Sequence, residues 1–173
     1  MNIPAVQLAG PPVFRPKRED VVAHLSNEGV DPDDDYVSFL VEYGSGLWAG
    51  MFVFYVPITD LGAYSWFERL EDKSSELRSD LRQLSSMGFM SAASAALVDA
   101  FSPFGTTENG DTVGWIVGRE GVYVHRSRSR DVERVADGFS DFMWKSISPG
   151  VGGILGNATF VLPSTFEPRP CFG

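Results

Sequence analysis

Glu108 and Asp111 flank the dipeptide Asn109-Gly110, and this pair comes closest in the chain to a carboxylate acid/base couple, which needs two carboxyl groups with separated pKa values. An aspartate beside a turn also accepts backbone N–H bonds, and that structural role is the expectation for Asp111. His24, His125 and the single cysteine, Cys171, lie far apart in the chain, so a zinc site would need carboxylates as well. No metal and no cofactor is expected. His125, next to Arg126, reads as the exposed end of a strand. Gly44-Ser45-Gly46 resembles part of a phosphate loop, yet it follows a helix and lacks the lysine that would reach the phosphates, so it reads as a plain loop. Arg126, Arg128, Arg130 and Arg134 have nucleic-acid chemistry, but Asp131 and Glu133 dilute them and serines, not aromatics, lie between them. Residues 126–134 are therefore expected to be a solvated polar connector.

Charge narrows the function classes. The 173 residues carry 14 Lys and Arg against 23 Asp and Glu, a net charge of −9, which argues against binding a phosphate backbone. Glu19, Asp20, Glu28, Asp31, Asp33, Asp34, Asp35 and Glu42 form a run without a Lys or Arg among them and hold nearly all of that excess. A basic protein is the expected partner, with no nucleic acid and no membrane. Clustered acids such as Asp33, Asp34 and Asp35 can steer an oppositely charged partner. Trp48, set among glycines, is the tryptophan expected on a binding surface, whereas Trp66, Trp115 and Trp144 read as core or rim. The candidate partner-binding residues are thus Asp33, Asp34, Asp35, Trp48, Glu108 and Asp111. No apolar run approaches the ~20 residues that span a bilayer, and Pro4, Pro11 and Pro12 interrupt any signal-like segment, so a cytoplasmic location is expected by default. Asn157-Ala158-Thr159 is a glycosylation acceptor only if the protein is secreted.

The elements that must position these residues centre on 101–124. Asn109-Gly110 predicts a two-residue hairpin turn with positive φ at both positions. Val113, Trp115 and Val117 alternate after it, Arg119-Glu120-Gly121 predicts a second reversal, and Val122 and Val124 are expected to face away from Tyr123 and His125. Upstream, residues 1–18 form a Pro-rich extended arm meeting the domain edge. Residues 19–27 predict a short helix closed by Gly29. Asp31 and Pro32 predict the cap and first position of a second helix, with Asp33, Asp34 and Asp35 in its favourable first turn and Tyr36, Phe39, Leu40 and Tyr43 as its apolar stripe up to Gly44. A strand is expected over 51–56, ending at Pro57. A helix starting at Thr59 or Asp60 carries Leu61, Tyr64, Trp66, Phe67 and Leu70, breaks at 71–76, and resumes its stripe at Leu77, Leu81 and Leu84. Residues 87–100 suit a helix or the start of a strand. Residues 135–147 predict a helix through Phe139, Phe142, Met143 and Ile147. The Gly- and Pro-rich tail, 149–173, is expected to be pinned to the surface by Ile154, Leu155, Phe160, Val161 and Leu162.

Four segments in this order resemble the SUKH superfamily, in the branch related to cell-wall-assembly regulators: Tyr36 to Gly46 (YVSFLVEYGSG), Val56 to Ile58 (VPI), Phe101 to Trp115 (FSPFGTTENGD and a tryptophan four residues on) and Gly138 to Phe142 (GFSDF). The resemblance covers most of the chain and implies one α+β domain, here 19–148, with a mixed, mostly antiparallel sheet flanked by helices. It further implies a non-enzymatic protein-binding role, in bacteria often that of an immunity protein neutralising a nuclease-type toxin. An intracellular scaffold or regulatory module of the same fold is the alternative, and a hydrolase using Glu108 and Asp111 is the third reading. The segment 65–100 is longer and richer in Ser and Ala than the family pattern.

Overall fold

The computed structural model describes residues 2–31, 33–56, 77–149, 152–155 and 161–169. Pro32, Pro57, the predicted helix through Trp66, the Asn157 acceptor, Phe160 and Cys171 lie outside them.

The meander at the centre forms as its alternation requires. β4 (Phe101–Thr107), β5 (Thr112–Ile116), β6 (Arg119–His125) and β7 (Val132–Ala136) pair antiparallel in sequence order. On the other side of β4 come β3 (Phe52–Phe54) and β2 (Gly46–Trp48), followed by β8 (Thr165–Pro168) and β1 (Gln7–Leu8). Only the β1–β8 pair is parallel, so the eight-stranded sheet is mixed and mostly antiparallel.

Helices cover both faces, and the apolar side chains sort accordingly. α1 (Arg18–Asn27), α2 (Asp34–Tyr43), α5 (Phe139–Ile147) and α6 (Gly152–Leu155) lie on one face, where Phe39, Phe54, Phe104, Val122, Val124, Phe139 and Phe166 join one large cluster. Rings meet edge-on there, as for Phe39 with Phe54 at 5.5 Å and Tyr36 with Trp115 at 4.7 Å. The opposite face carries Phe101, Ile116, Tyr123 and Val132, covered by Leu97 and by Leu77 of the helical residues 77–86, here α3. Between α3 and β4 the chain forms α4 (Ala92–Ala95) and a 3₁₀ turn (Val98–Ala100), so the segment 87–100 is short helix throughout its ordered elements and the strand begins at Phe101. The structure is one α+β unit.

Several expectations shift. The loop at Asn109-Gly110 holds three residues: Gly110 N–H donates to Thr107 O at 2.9 Å, Thr107 N–H donates to Asp111 O at 2.8 Å, and positive φ occurs at Gly110 (85°) but not at Asn109. This is a tight turn followed by a left-handed glycine. The second reversal falls at Val117-Gly118, with Ile116 opposite Arg119, so Arg119-Glu120-Gly121 opens β6. The cap of α2 is Asp33, not Asp31, because Asp33 is the residue whose carboxylate reaches the N–H groups of Asp35 and Tyr36. Gly29, at φ 74°, does end α1, donating to Ser26 O. Residues 132–136 are a strand and not part of a connector or helix: they pair with β6, and α5 starts only at Phe139, after an extended Gly138. Ile154, Leu155 and Leu162 of the tail do pack in or against the main cluster, whereas Val161 is exposed, and the tail goes further by adding a strand to the sheet. Its β8 is inserted between β1 and β2, and Phe166 is fully buried. The arm does meet the sheet edge, through β1.

Candidate functional site

The residues singled out from sequence are mostly consumed by the fold. Trp48 is fully buried, with its Nε1–H donating to Ser146 Oγ at 2.7 Å, so the expectation of an exposed Trp48 is corrected. The glycines around it belong to β2 and its turn, not to a surface loop, and Ser45 Oγ–H donates to Arg169 O at 2.9 Å. Asp111 is buried: its Oδ1 accepts from Ser127 N–H at 2.8 Å and Ser127 Oγ–H at 3.0 Å, and Arg126 lies 3.7 Å from its Oδ2. Glu108 is half-exposed and 3.9 Å from Arg169. Each carboxylate therefore has its own partner and they do not face one another as a couple.

The acidic cluster divides in the same way. Asp33 is a helix cap; Asp34 pairs with Arg18; Asp35 accepts the backbone N–H of Asn2 at 3.2 Å. Arg126 is also not a solvated connector. Its side chain is 12% exposed and donates to Ile154 O and to Glu133 Oε2, tying the β6 end to α6. His125 is 7% exposed and so is not a surface strand end, because β7 pairs alongside it at Val132. Burial lowers its pKa below the usual value, against the pull of Asp111 and Asp131. Among the described residues no cluster of three or more potential metal ligands occurs, and no helix is long and apolar enough to cross a membrane.

Among the described residues, a groove of about 460 Å³ open to a partner lies where three segments from distant parts of the chain converge. The α1–α2 loop contributes Asp31 and one side of Asp33; the tip of the β5–β6 hairpin contributes Arg119 and Glu120; the β7–α5 junction contributes Asp137. Trp115 forms part of its wall. Gly121 sits at φ 101°, and a Cβ there would lie 2.6 Å from Ala136 O, so glycine is what lets β6 bend against β7 at the groove's edge. Asp137 is held by Arg134 at 3.0 Å, whereas Asp31 and Glu120 are exposed and have no hydrogen bond or ion pair among the described residues. Asp31, Asp33, Glu120 and Asp137 outnumber Arg119 and Arg134, so the groove is net negative and a positive side chain gains there by Coulomb attraction.

In sequence Asp31 reads as a helix cap and Glu120 as part of a chain reversal, and Asp137 carries no signal, because the packing of the α1–α2 loop against the β5–β6 tip and the β7–α5 junction is what brings 31, 120 and 137 together. No protein-family model, curated protein or solved structure matches the chain.

Proposed function

We propose that the chain is a non-enzymatic protein-binding domain of the SUKH kind, acting in the cytoplasm as an immunity protein that occludes a basic, nuclease-type toxin. The observation that carries this reading is the groove that gathers Asp31 and Glu120, both without a side-chain partner among the described residues, at one concave place in the fold. Charges kept free at a concave surface raise the encounter rate with an opposite-charged partner and select against acidic ones. The mixed sheet with helices on both faces agrees with the architecture that the sequence resemblance implies. The separate engagement of Asp111 and Glu108 weighs against the hydrolase reading.

The test is co-expression of this chain with basic, nuclease-type toxin domains, beginning with any encoded beside its gene, followed by calorimetry on the purified pair. Protection of the cells and a complex that weakens as salt rises are expected. Full toxicity in the presence of the folded chain, with no heat of binding, overturns the immunity role. Capture of a housekeeping protein instead of a toxin favours the scaffold alternative.

A further inference from the structure

His125 has an unusual position for a histidine. It closes β6, opposite Thr112 on β5 and Val132 on β7, and neither Nδ1 nor Nε2 has a hydrogen-bond partner among the described residues. Two residues after Tyr123, it points to the face of the second apolar cluster. Buried polar atoms without partners are uncommon because nothing replaces the water they lose. The neutral imidazole tolerates this site far better than the cation does.

The charged groups around it are already engaged. Asp111, from the β4–β5 turn, holds Ser127 through two bonds and has Arg126 nearby. Arg126 is also bonded to Glu133 of β7. Asp131, from the β6–β7 loop, accepts from Ser94 Oγ–H at 3.2 Å, and the same Ser94 Oγ accepts the backbone N–H of Val132 at 3.0 Å. Ser94 is thus the point at which α4 is fastened to the edge strand. The weaker of the two anchorages is that of Asp131, with one side-chain bond against the several that hold Asp111.

We infer that His125 is a pH-sensitive latch: when its imidazole takes a proton, Asp131 leaves Ser94 to pair with it, and α4 with the 126–131 loop opens from the β6–β7 end of the sheet. The direction follows from linkage. The folded chain holds His125 neutral below the usual histidine value of about 6.5, while the unfolded or opened chain takes the proton there. Stability of this region is complete above about pH 6.5 and declines as pH falls toward the folded-state pKa.

Two measurements on the full chain test this. Imidazole ¹⁵N resonances followed against pH, with His24→Gln to assign the two rings, are expected to show His125 titrating below the ordinary value. Amide hydrogen exchange at pH 7.5 and 5.5, corrected for intrinsic rates, is expected to accelerate several-fold, up to roughly tenfold, in 92–97 and 126–132 at the lower pH, and the acceleration is expected to vanish in His125→Phe. An imidazole titrating at or above the ordinary value overturns the latch. So does an equal pH response in His125→Phe. The titration of the unsubstituted ring decides the matter alone where the phenylalanine variant does not fold.

Discussion

Asp33 Oδ2 accepts the backbone N–H of Phe139 at 2.9 Å, while Oδ1 accepts those of Asp35 and Tyr36 at 3.0 and 3.1 Å. One carboxylate therefore caps α2 and supplies the cap that α5 lacks, since the residue before α5 is Gly138, which has no side chain to offer. The two helices on the main face are joined at their positive ends, where a negative charge is favoured by the dipole of each.

The consequence is a sharp difference between neighbours. Asp33→Ala is expected to lower unfolding stability by about 2 kcal/mol, more than a single ordinary cap, because three N–H groups lose a charged acceptor. Asp34→Ala is expected to change it by about 0.5 kcal/mol or less, its pair with Arg18 being surface-exposed. Urea unfolding of both variants measures this. Equal effects would refute the double-cap role, and a triple Asn variant at 33–35 is expected to be destabilised mainly through Asp33.

Ser146→Ala leaves the Trp48 indole N–H buried without a partner and is expected to cost about 1–3 kcal/mol. Trp48→Ala removes a fully buried ring and is expected to cost about 3–5 kcal/mol. Thermal unfolding monitored by circular dichroism is the check. A Trp48 variant of unchanged stability would return this residue to the surface.

Gly110→Val is expected to destabilise by about 1–2 kcal/mol, since a β-branched residue must take a left-handed conformation. Gly121→Ala is expected to cost more, because its Cβ also meets the Ala136 carbonyl oxygen. The reverse order of the two melting temperatures would contradict the bend assigned at Gly121.

The elements with strong local signals were legible in the sequence: the Asp-capped α2 stripe, the alternating meander and the Phe139–Ile147 stripe. The cap slipped by two residues because four aspartates near Pro32 are equivalent as types, and Asp33 is distinguished only by the folded positions of the Asp35, Tyr36 and Phe139 N–H groups. β7 was hidden by its own composition. In Val132–Ala136 an edge strand carries Glu133 and Arg134 outward, which reads as a connector. β2 was hidden by glycines that look like loop chemistry, although Gly46 is where β8 approaches so closely that a Cβ would stand 2.4 Å from Glu167 O. The acidic site was legible as a surplus of charge but not as a place, because pairing across the sheet and the α2–α5 junction assemble it from positions about a hundred residues apart.

The proposed role requires that the groove charges, and not the overall acidity, receive a basic partner. The measurement is the calorimetric affinity of a basic, nuclease-type toxin domain that the unsubstituted chain binds for Asp31→Lys/Glu120→Lys, compared with Asp80→Lys/Asp99→Lys, which makes the same change of net charge outside the groove. The groove variant is expected to bind at least roughly 100-fold more weakly than the unsubstituted chain, the loss of close charge pairs at an interface, while the control stays within a few-fold and both remain folded. Equal weakening by the two variants, or none by the first, would contradict the assignment of the groove as the binding site.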